Sequence, residues 1–328
     1  MSATVAPEAI LKELASLWTQ EGKQGDAGVL RACSMTLLVL ADFEEDPAGL
    51  AETMAALMPE HPARSILVRV RDDGARAMSE RVYQQCWKPF GQRRQICCEQ
   101  IELTASDGAL GDLPSVILPL AVPDLPVILW CRSGRLRRHG EFGRIAETAT
   151  KVVIDSALAE NAPEALQWIS EASGRGAIVA DLAWTRLTRW RETLARVFEN
   201  RDTMARLSEV TSVRVGYGPG YQTAAWYLAA WAAGALEDVG QTVTPVLEQQ
   251  KESLRLELAG ESFRVVLSRD ADRLISVVNE QSNCTNLPRP TDYLLMREEL
   301  SIVRRDAVFE RTLARAARLA VSSWSEKS

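Results

Sequence analysis

The chain has 328 residues, 46% of them apolar and 25% charged, and a net charge of −6. That length suggests one large or two medium domains, the composition is that of an ordinary soluble globular protein, and the acidic balance argues against a general nucleic-acid binder. Six lysines stand against 32 arginines. Base composition alone can produce such a bias, so single arginines are not read as anion ligands. Residues 1–12 lack the basic-then-apolar pattern of a signal peptide, and the most apolar stretch, 224–236, is too short to span a bilayer. Six irregularly spaced cysteines do not form a disulfide scaffold. A reducing cytoplasm is the expected location, with neither membrane nor nucleic acid as partner.

Ile10, Leu11, Leu14, Leu17 and Trp18 recur at helical spacing, which predicts a helix over 7–20 and a turn over 22–28. Residues 29–41 are rich in strand formers, with 37–40 a buried run. Asp46 can cap a helix that has Pro47 in its first position and reaches Met58. A second strand follows at 64–70. Two more, 77–87 and 94–103, flank a turn at Pro89, Phe90 and Gly91. Next come a helix at 110–120 involving Pro114, a short apolar strand at 125–131, a helix at 141–148, a strand at 151–155 and a helix at 162–172.

Alternation of this kind implies layered α/β structure with much parallel sheet. Gly174 and Gly176 mark the expected linker. They divide an N-terminal α/β domain with a mixed sheet, 1–173, from a smaller C-terminal α/β domain, 174–328. In the latter, Ala183, Leu187, Trp190, Leu194, Val197 and Phe198 form a narrow apolar stripe that turns Trp190 toward a core. Thr188 is the expected N-cap, with Trp184 just outside the helix. A strand at 209–215, a glycine turn at 216–220 and a helix at 221–236 follow. Strands are then expected near 242–247, 253–258, 262–268 and 274–279, the last three suiting an antiparallel meander. A long Arg-rich helix over 291–320 closes the chain.

Residues 181–191, DLAWTRLTRWR, hold two tryptophans and three arginines. Trp and Arg dominate protein–protein binding energy more often than other residues, and they can equally build a buried domain corner. Gly216, Gly218 and Gly220 lie between a predicted strand and a predicted helix, where backbone N–H groups can face a phosphate. The spacing is not G-x-G-x-x-G, Pro219 removes one donor, and a plain tight turn explains the glycines equally well. Arg132, Arg135, Arg137 and Arg138 form a basic cluster after a strand, suited to an acidic ligand or to a solvated loop. On a strand, Cys97 and Cys98 point to opposite faces, and one of them can meet Cys86 on a neighbouring strand. They are redox candidates or small core residues. His61 and His139 are too few for a triad or metal centre, there is no C-x-x-C, and no nucleophile, base and oxyanion site assemble. Neither a catalytic residue nor a metal or cofactor site is assigned.

Several segments, in order along nearly the whole chain, resemble the glucose-6-phosphate dehydrogenase assembly protein (OpcA) family. They are 31–39 (RACSMTLLV), 61–66 (HPARSI), 96–101 (ICCEQI), 119–127 (PLAVPDLPV) with Trp130, and 154–156 (IDS). The series continues with 181–191 and with 294–300 (LLMREEL) followed by Arg305 and Asp306. Two departures stand out: the family often has Pro at the position of Arg189 and Trp at that of Cys131. The resemblance implies a non-catalytic cytoplasmic partner that binds glucose-6-phosphate dehydrogenase, promotes its active oligomer and raises its response to substrate. In some branches thiol oxidation tunes this, which adds a thioredoxin-type reductant as a second partner. NADP and glucose 6-phosphate would belong to the dehydrogenase. On that reading Trp184, Thr185, Arg186, Arg189 and Arg191 contribute to the partner interface, and Cys86, Cys97 and Cys98 to redox control. The alternative is a sugar-phosphate or nucleotide-binding module built on Gly216, Gly218, Gly220, Arg132 and Arg135.

Overall fold

The computed structural model describes residues 5–24, 29–91, 94–159, 161–251, 253–302 and 304–325. The chain folds into two compact units, Met1–Ile154 and Asp155–Ser328. The division falls before the expected Gly174 and Gly176 linker because the helix ending at Gly174 packs with helices of the second unit.

The first unit contains α1 (Pro7–Gln24), β1 (Val29–Arg31), β2 (Met35–Asp42), α2 (Pro47–Leu57), β3 (Ala63–Arg71), β4 (Met78–Trp87) and β5 (Gln95–Ser106). It continues with α3 (Leu113–Leu120), β6 (Val127–Cys131), α4 (Gly134–Arg138), α5 (Phe142–Ala146) and β7 (Lys151–Ile154). Its strands lie in the order β1-β5-β3-β2-β6-β7, all parallel, with β4 antiparallel to β5. Leu37, Leu38 and Val39 are wholly buried, as a strand covered on both faces requires. Asp46 caps α2, its carboxylate accepting from Ala48 N and Gly49 N at 3.0 Å. Two expectations are corrected. α1 runs through Gly22, so the turn expected over 22–28 does not begin there, and 25–28 lie outside the described residues. Arg135, Arg137 and Arg138 of the basic cluster lie not in a loop but in the short helix α4, nucleated where Ser133 Oγ accepts from Leu136 N at 3.0 Å, and Arg132 precedes its cap.

The second unit contains α6 (Ala162–Gly174), β8 (Ile178–Asp181), α7 (Leu182–Thr185), α8 (Thr188–Val197), α9 (Arg201–Ala205), β9 (Ser212–Tyr217) and α10 (Gln222–Asp238). Then come β10 (Val246–Gln249), β11 (Leu254–Ala259), β12 (Arg264–Asp270), β13 (Arg273–Val278), β14 (Gln281–Asn286), α11 (Asp292–Ser301) and α12 (Ala307–Ser325). The sheet order is β10-β9-β11-β12-β13-β14. The β11–β14 run is the antiparallel meander, one strand longer than expected, and β10 is parallel to β9. α10 packs on β9, β10 and β11, α8 on β13, and α12 on α10 and α6. β14 escaped notice because all six of its residues are polar or small and exposed, leaving no alternation to read.

Three further readings are corrected. The long closing helix is two helices: Ile302 leaves the helical region, and Asp306 starts α12 by accepting from Val308 N and Phe309 N at 2.9 and 3.0 Å. Thr188 is not a cap but the first residue of α8, after Leu187. Gly216 is the fifth residue of β9 rather than the start of the turn.

Candidate functional site

β8 ends on Asp181, which is fully buried and opens α7 by accepting from Ala183 N at 2.9 Å through Oδ1. The same oxygen accepts from Ser156 N at 3.0 Å. Oδ2 accepts from Tyr227 Oη at 2.8 Å and from Ser156 Oγ. Four donors thus converge on one carboxylate. Burial, and then the charge of Asp155, nevertheless push its pKa up to about 6 against the pull of those hydrogen bonds. Burial and the adjoining Asp181 carboxylate push the Tyr227 phenol well above its ordinary value.

Trp184 lies one turn further and is 4% exposed. Its ring is 5.7 Å from Tyr227 and 5.9 Å from Phe309, an aromatic trio completed by the 6.1 Å Tyr227–Phe309 contact. Arg191 covers the other side, its guanidinium carbon 3.5 Å from the Trp184 ring centroid. It donates to Trp184 O and to Thr188 Oγ1, each at 3.0 Å. Burial lowers the Arg191 pKa to about 10 despite the surrounding carboxylates of Asp306, Glu298 and Glu299. Thr185 Oγ1 donates to Glu299 at 2.6 Å and Thr188 Oγ1 to Glu298 at 2.7 Å, tying the motif to α11. Arg186 grips Asp155 with two bonds of 2.7 and 2.6 Å.

The exposed edge expected at Trp184 is therefore a buried corner. Trp184 and Thr185 are buried, Arg191 is spent on stacking, and Arg186 is ion-paired. Of the five residues, Arg189 is the one that stands well out in solvent, paired loosely with Glu192 at 2.9 Å. Trp190 faces the core, as its place in the stripe implied. Tyr227 and Phe309 were not singled out in the sequence, and Ser156 and Glu299 entered only within the family-like segments 154–156 and 294–300. A buried acid opening a helix needs donors, and a Tyr in the Ala-rich helix α10 was the available signal.

In the first unit, the order in which strands are added to the sheet reverses between the parallel neighbours β2 and β6, the place where open parallel sheets hold ligands. The carboxyl ends of these strands are occupied by the protein's own charges. Arg135 reaches Asp42 at 3.0 Å and Asp107 at 2.6 Å, and Ser133 Oγ donates to Asp42 at 2.8 Å. Arg132 pairs with Glu45 and stacks 4.6 Å from the Trp130 ring. The N-terminus of α2, where a phosphate would sit, is taken by the Asp46 carboxylate. In the second unit the Gly218 N–H already donates to Ser253 O at 2.8 Å. Gly220 supplies φ +78° to the turn. Among the described residues no group of His, Cys, Asp and Glu could hold a metal ion, and no helix is long and apolar enough to cross a membrane.

Cys86 and Cys97 face each other across β4 and β5 and are joined by a disulfide. Cys98 points the other way, its thiol donating to Ala32 O at 3.3 Å, and burial raises its pKa to about 11. The sequence reading brought these three together. The structure pairs two and leaves Cys98 an inert core thiol.

The molecule is thus a two-unit α/β protein whose first unit has a doubly wound parallel core. Residues 54–171 match the family domain described as the glucose-6-phosphate dehydrogenase subunit N-terminal domain, and residues 177–313 match its C-terminal domain. The chain belongs to this OpcA family. It is 26% identical over 193 residues to the OxPP cycle protein OpcA of Synechocystis sp., covering 58% of this chain and 40% of that one. It is 28% identical over 203 residues to the OpcA protein of Nostoc punctiforme, covering 58% and 44%. The matched region is less than half of each relative's length. Among solved structures, a super-repressor mutant of Gal80p from Saccharomyces cerevisiae aligns over 90% of this chain and 96% of that one, with a TM-score of 0.51 at 9% identity. That likeness concerns the fold alone.

Proposed function

We propose that this chain is a non-catalytic partner of glucose-6-phosphate dehydrogenase that binds the enzyme, promotes its active oligomer and raises its response to substrate. The observation that carries this reading is the pair of family matches, to domains named for that dehydrogenase and spanning both halves of the chain. The chemistry agrees with it. The shifted groups of this corner, Asp181, Tyr227 and Arg191, are engaged with the protein's own side chains: Asp181 and Tyr227 are buried and bonded to each other, and Arg191 stacks on Trp184. An activator needs only differential affinity for two states of its partner. The motif at 181–191 then acts by rigidity: Trp184, Thr185, Arg186 and Arg191 fix the corner on which Arg189 stands as a contact. Redox tuning falls to Cys86 and Cys97. A thioredoxin-type dithiol would deliver two electrons and two protons, converting the disulfide to two thiols while becoming a disulfide itself. The nucleotide-module reading gains no support from crevices filled by Arg132, Arg135 and Asp46.

The test is reconstitution. Purified chain added to the cognate dehydrogenase is expected to lower the substrate concentration for half-maximal rate and to shift the enzyme to its larger oligomer. Unchanged kinetics together with no complex on size-exclusion chromatography would refute the reading.

A further inference from the structure

β14 is the free edge of the second unit's sheet. Its pairing with β13 fixes which of its backbone groups are spare. Leu287 N donates to Asp272 O at 2.7 Å, so 272 and 287 are a hydrogen-bonded pair. By alternation the next such pairs along the ladder are 274 with 285, 276 with 283 and 278 with 281. Ser282, Cys284 and Asn286 therefore turn their N–H and C=O groups outward, where no described residue bonds to them. Natural sheets blunt such an edge with charge, proline, a bulge or a very short strand. β10, at the opposite edge, has four residues, with Glu248 among them and Pro245 just before. β14 has six residues, QSNCTN, all exposed, with neither charge nor proline, and its register with β13 runs without a bulge. What it offers to a partner is backbone.

We propose that β14 pairs antiparallel with β14 of a second copy of the chain, joining the two sheets edge to edge about a two-fold axis. The ends of the strand set the register. The outward position before Ser282 falls in the hairpin turn, where Asn279 has φ +52°. The outward position after Asn286 is Pro288, which has no N–H to give. Positions 282, 284 and 286 remain. Two-fold pairing that uses all of them sets Cys284 opposite the second copy's Cys284, and Ser282 opposite its Asn286. Each pair exchanges two backbone hydrogen bonds. The uncharged strand does not repel its own copy, although the chain carries a net −6. At each end the same axis brings exposed Glu280 of one copy beside exposed Arg289 of the other, the neighbour of the residue it faces. Opposite charges therefore meet at both ends, as a self-complementary interface requires. Six residues a side is far short of the roughly 20–30 of a stable interface, so the dimer dissociates on dilution. This pairing is independent of the function proposed above.

Sedimentation velocity of the full chain over a wide range of concentration tests the pairing. The wild type is expected to show a reversible monomer–dimer equilibrium. Cys284→Lys and Cys284→Glu each set like charges directly opposite across the axis, and each is expected to weaken the dimer at least about tenfold. An equimolar mixture of the two is expected to restore it. Cys284→Pro removes an outward N–H and no bond to β13, and is expected to weaken the dimer similarly at an unchanged melting temperature. Cys284 also reports the register. Hydrogen-bonded antiparallel partners stand about 5.5 Å apart at Cα, within disulfide reach. Diamide, which takes two electrons and two protons from the two thiols and becomes its hydrazine, is expected to link wild-type dimers and not Cys284→Ser. A wild-type chain that stays monomeric at every soluble concentration overturns the proposal. A dimer that all the variants leave intact overturns it too, by placing the interface elsewhere. A mixture no more dimeric than its components overturns the two-fold register. Loss of dehydrogenase binding in Cys284→Lys, without any self-association of the wild type, overturns the proposal by assigning the edge to a different protein.

Discussion

Asp181 stands in the most demanding environment of the second unit, a carboxylate removed from water and held by four donors. Its folded pKa of about 6 lies above the ordinary 3.8. Its contribution to stability is therefore fully present below about pH 3.8 and is lost as pH rises through 6. By pH 7 the loss amounts to about 3 kcal/mol. Asn fits the same place: its oxygen can keep the N–H donors of Ser156 and Ala183, and its amide can face the hydroxyls of Ser156 and Tyr227, which turn to accept. Asp181→Asn is expected to fold and to flatten the decline in urea midpoint between pH 4 and 7. An unaltered slope in the variant would show that the decline has another source. Asp181→Ala, which strands all four donors, is expected to lose several kcal/mol. Trp184→Ala belongs to the same scale. Removing a buried indole from between Arg191, Tyr227 and Phe309 should cost about 3–5 kcal/mol. A drop in melting temperature without dehydrogenase present checks this. Loss of partner binding by that variant would report unfolding, so Arg189→Glu is the better probe of the surface.

At the level of elements, the β4–β5 hairpin is the feature that chemistry can switch. Its disulfide closes a short loop, between residues eleven apart in sequence. The chain-entropy argument then gives at most about 3 kcal/mol. Reduction with dithiothreitol, or Cys86→Ser with Cys97→Ser, is expected to lower the urea midpoint by no more than that while leaving far-UV dichroism unchanged. A complete loss of fold would mean that the bond holds more than the hairpin. This pairing was partly legible in the sequence. Period-2 side-chain direction separated Cys97 from Cys98 and named Cys86 as a neighbour, but the register that makes 86 and 97 direct partners is set by pairing across the turn. The same limit applies at 181–191. Periodicity identified Trp190 as core because α8 is a regular helix. It missed Trp184, because α7 is a single turn with no stripe to read, and its burial comes from Tyr227 and Phe309, far away in sequence. The break between α11 and α12 was hidden for a related reason: Asp306 is an N-cap inside a pattern that stays amphipathic on both sides.

For the molecule as a whole, the question that the proposed function raises is whether the chain or its partner would hold the nucleotide. A doubly wound sheet offers one natural place, the crevice between β2 and β6, with the phosphate on the N-terminus of the following helix. Here that helix end is neutralised by Asp46, and a Cβ on Gly49 would meet the same carboxylate at 2.9 Å. Asp42, Glu45 and Asp107 add negative charge that Arg132 and Arg135 are already engaged in balancing. A pyrophosphate arriving there would have to displace Asp46 and break these pairs before forming any bond of its own. Titration calorimetry of the isolated chain with NADP and with glucose 6-phosphate is therefore expected to show no binding tighter than about 1 mM, equivalent to roughly −4 kcal/mol. Binding of NADP at micromolar strength that vanishes in Arg132→Ala would overturn this and move the cofactor site into the chain itself. If the isolated chain stays silent, the activation proposed for the dehydrogenase has to come from contact alone. A tenfold gain in its apparent substrate affinity then requires only about 1.4 kcal/mol of preference for the active state, within reach of one well-seated side chain.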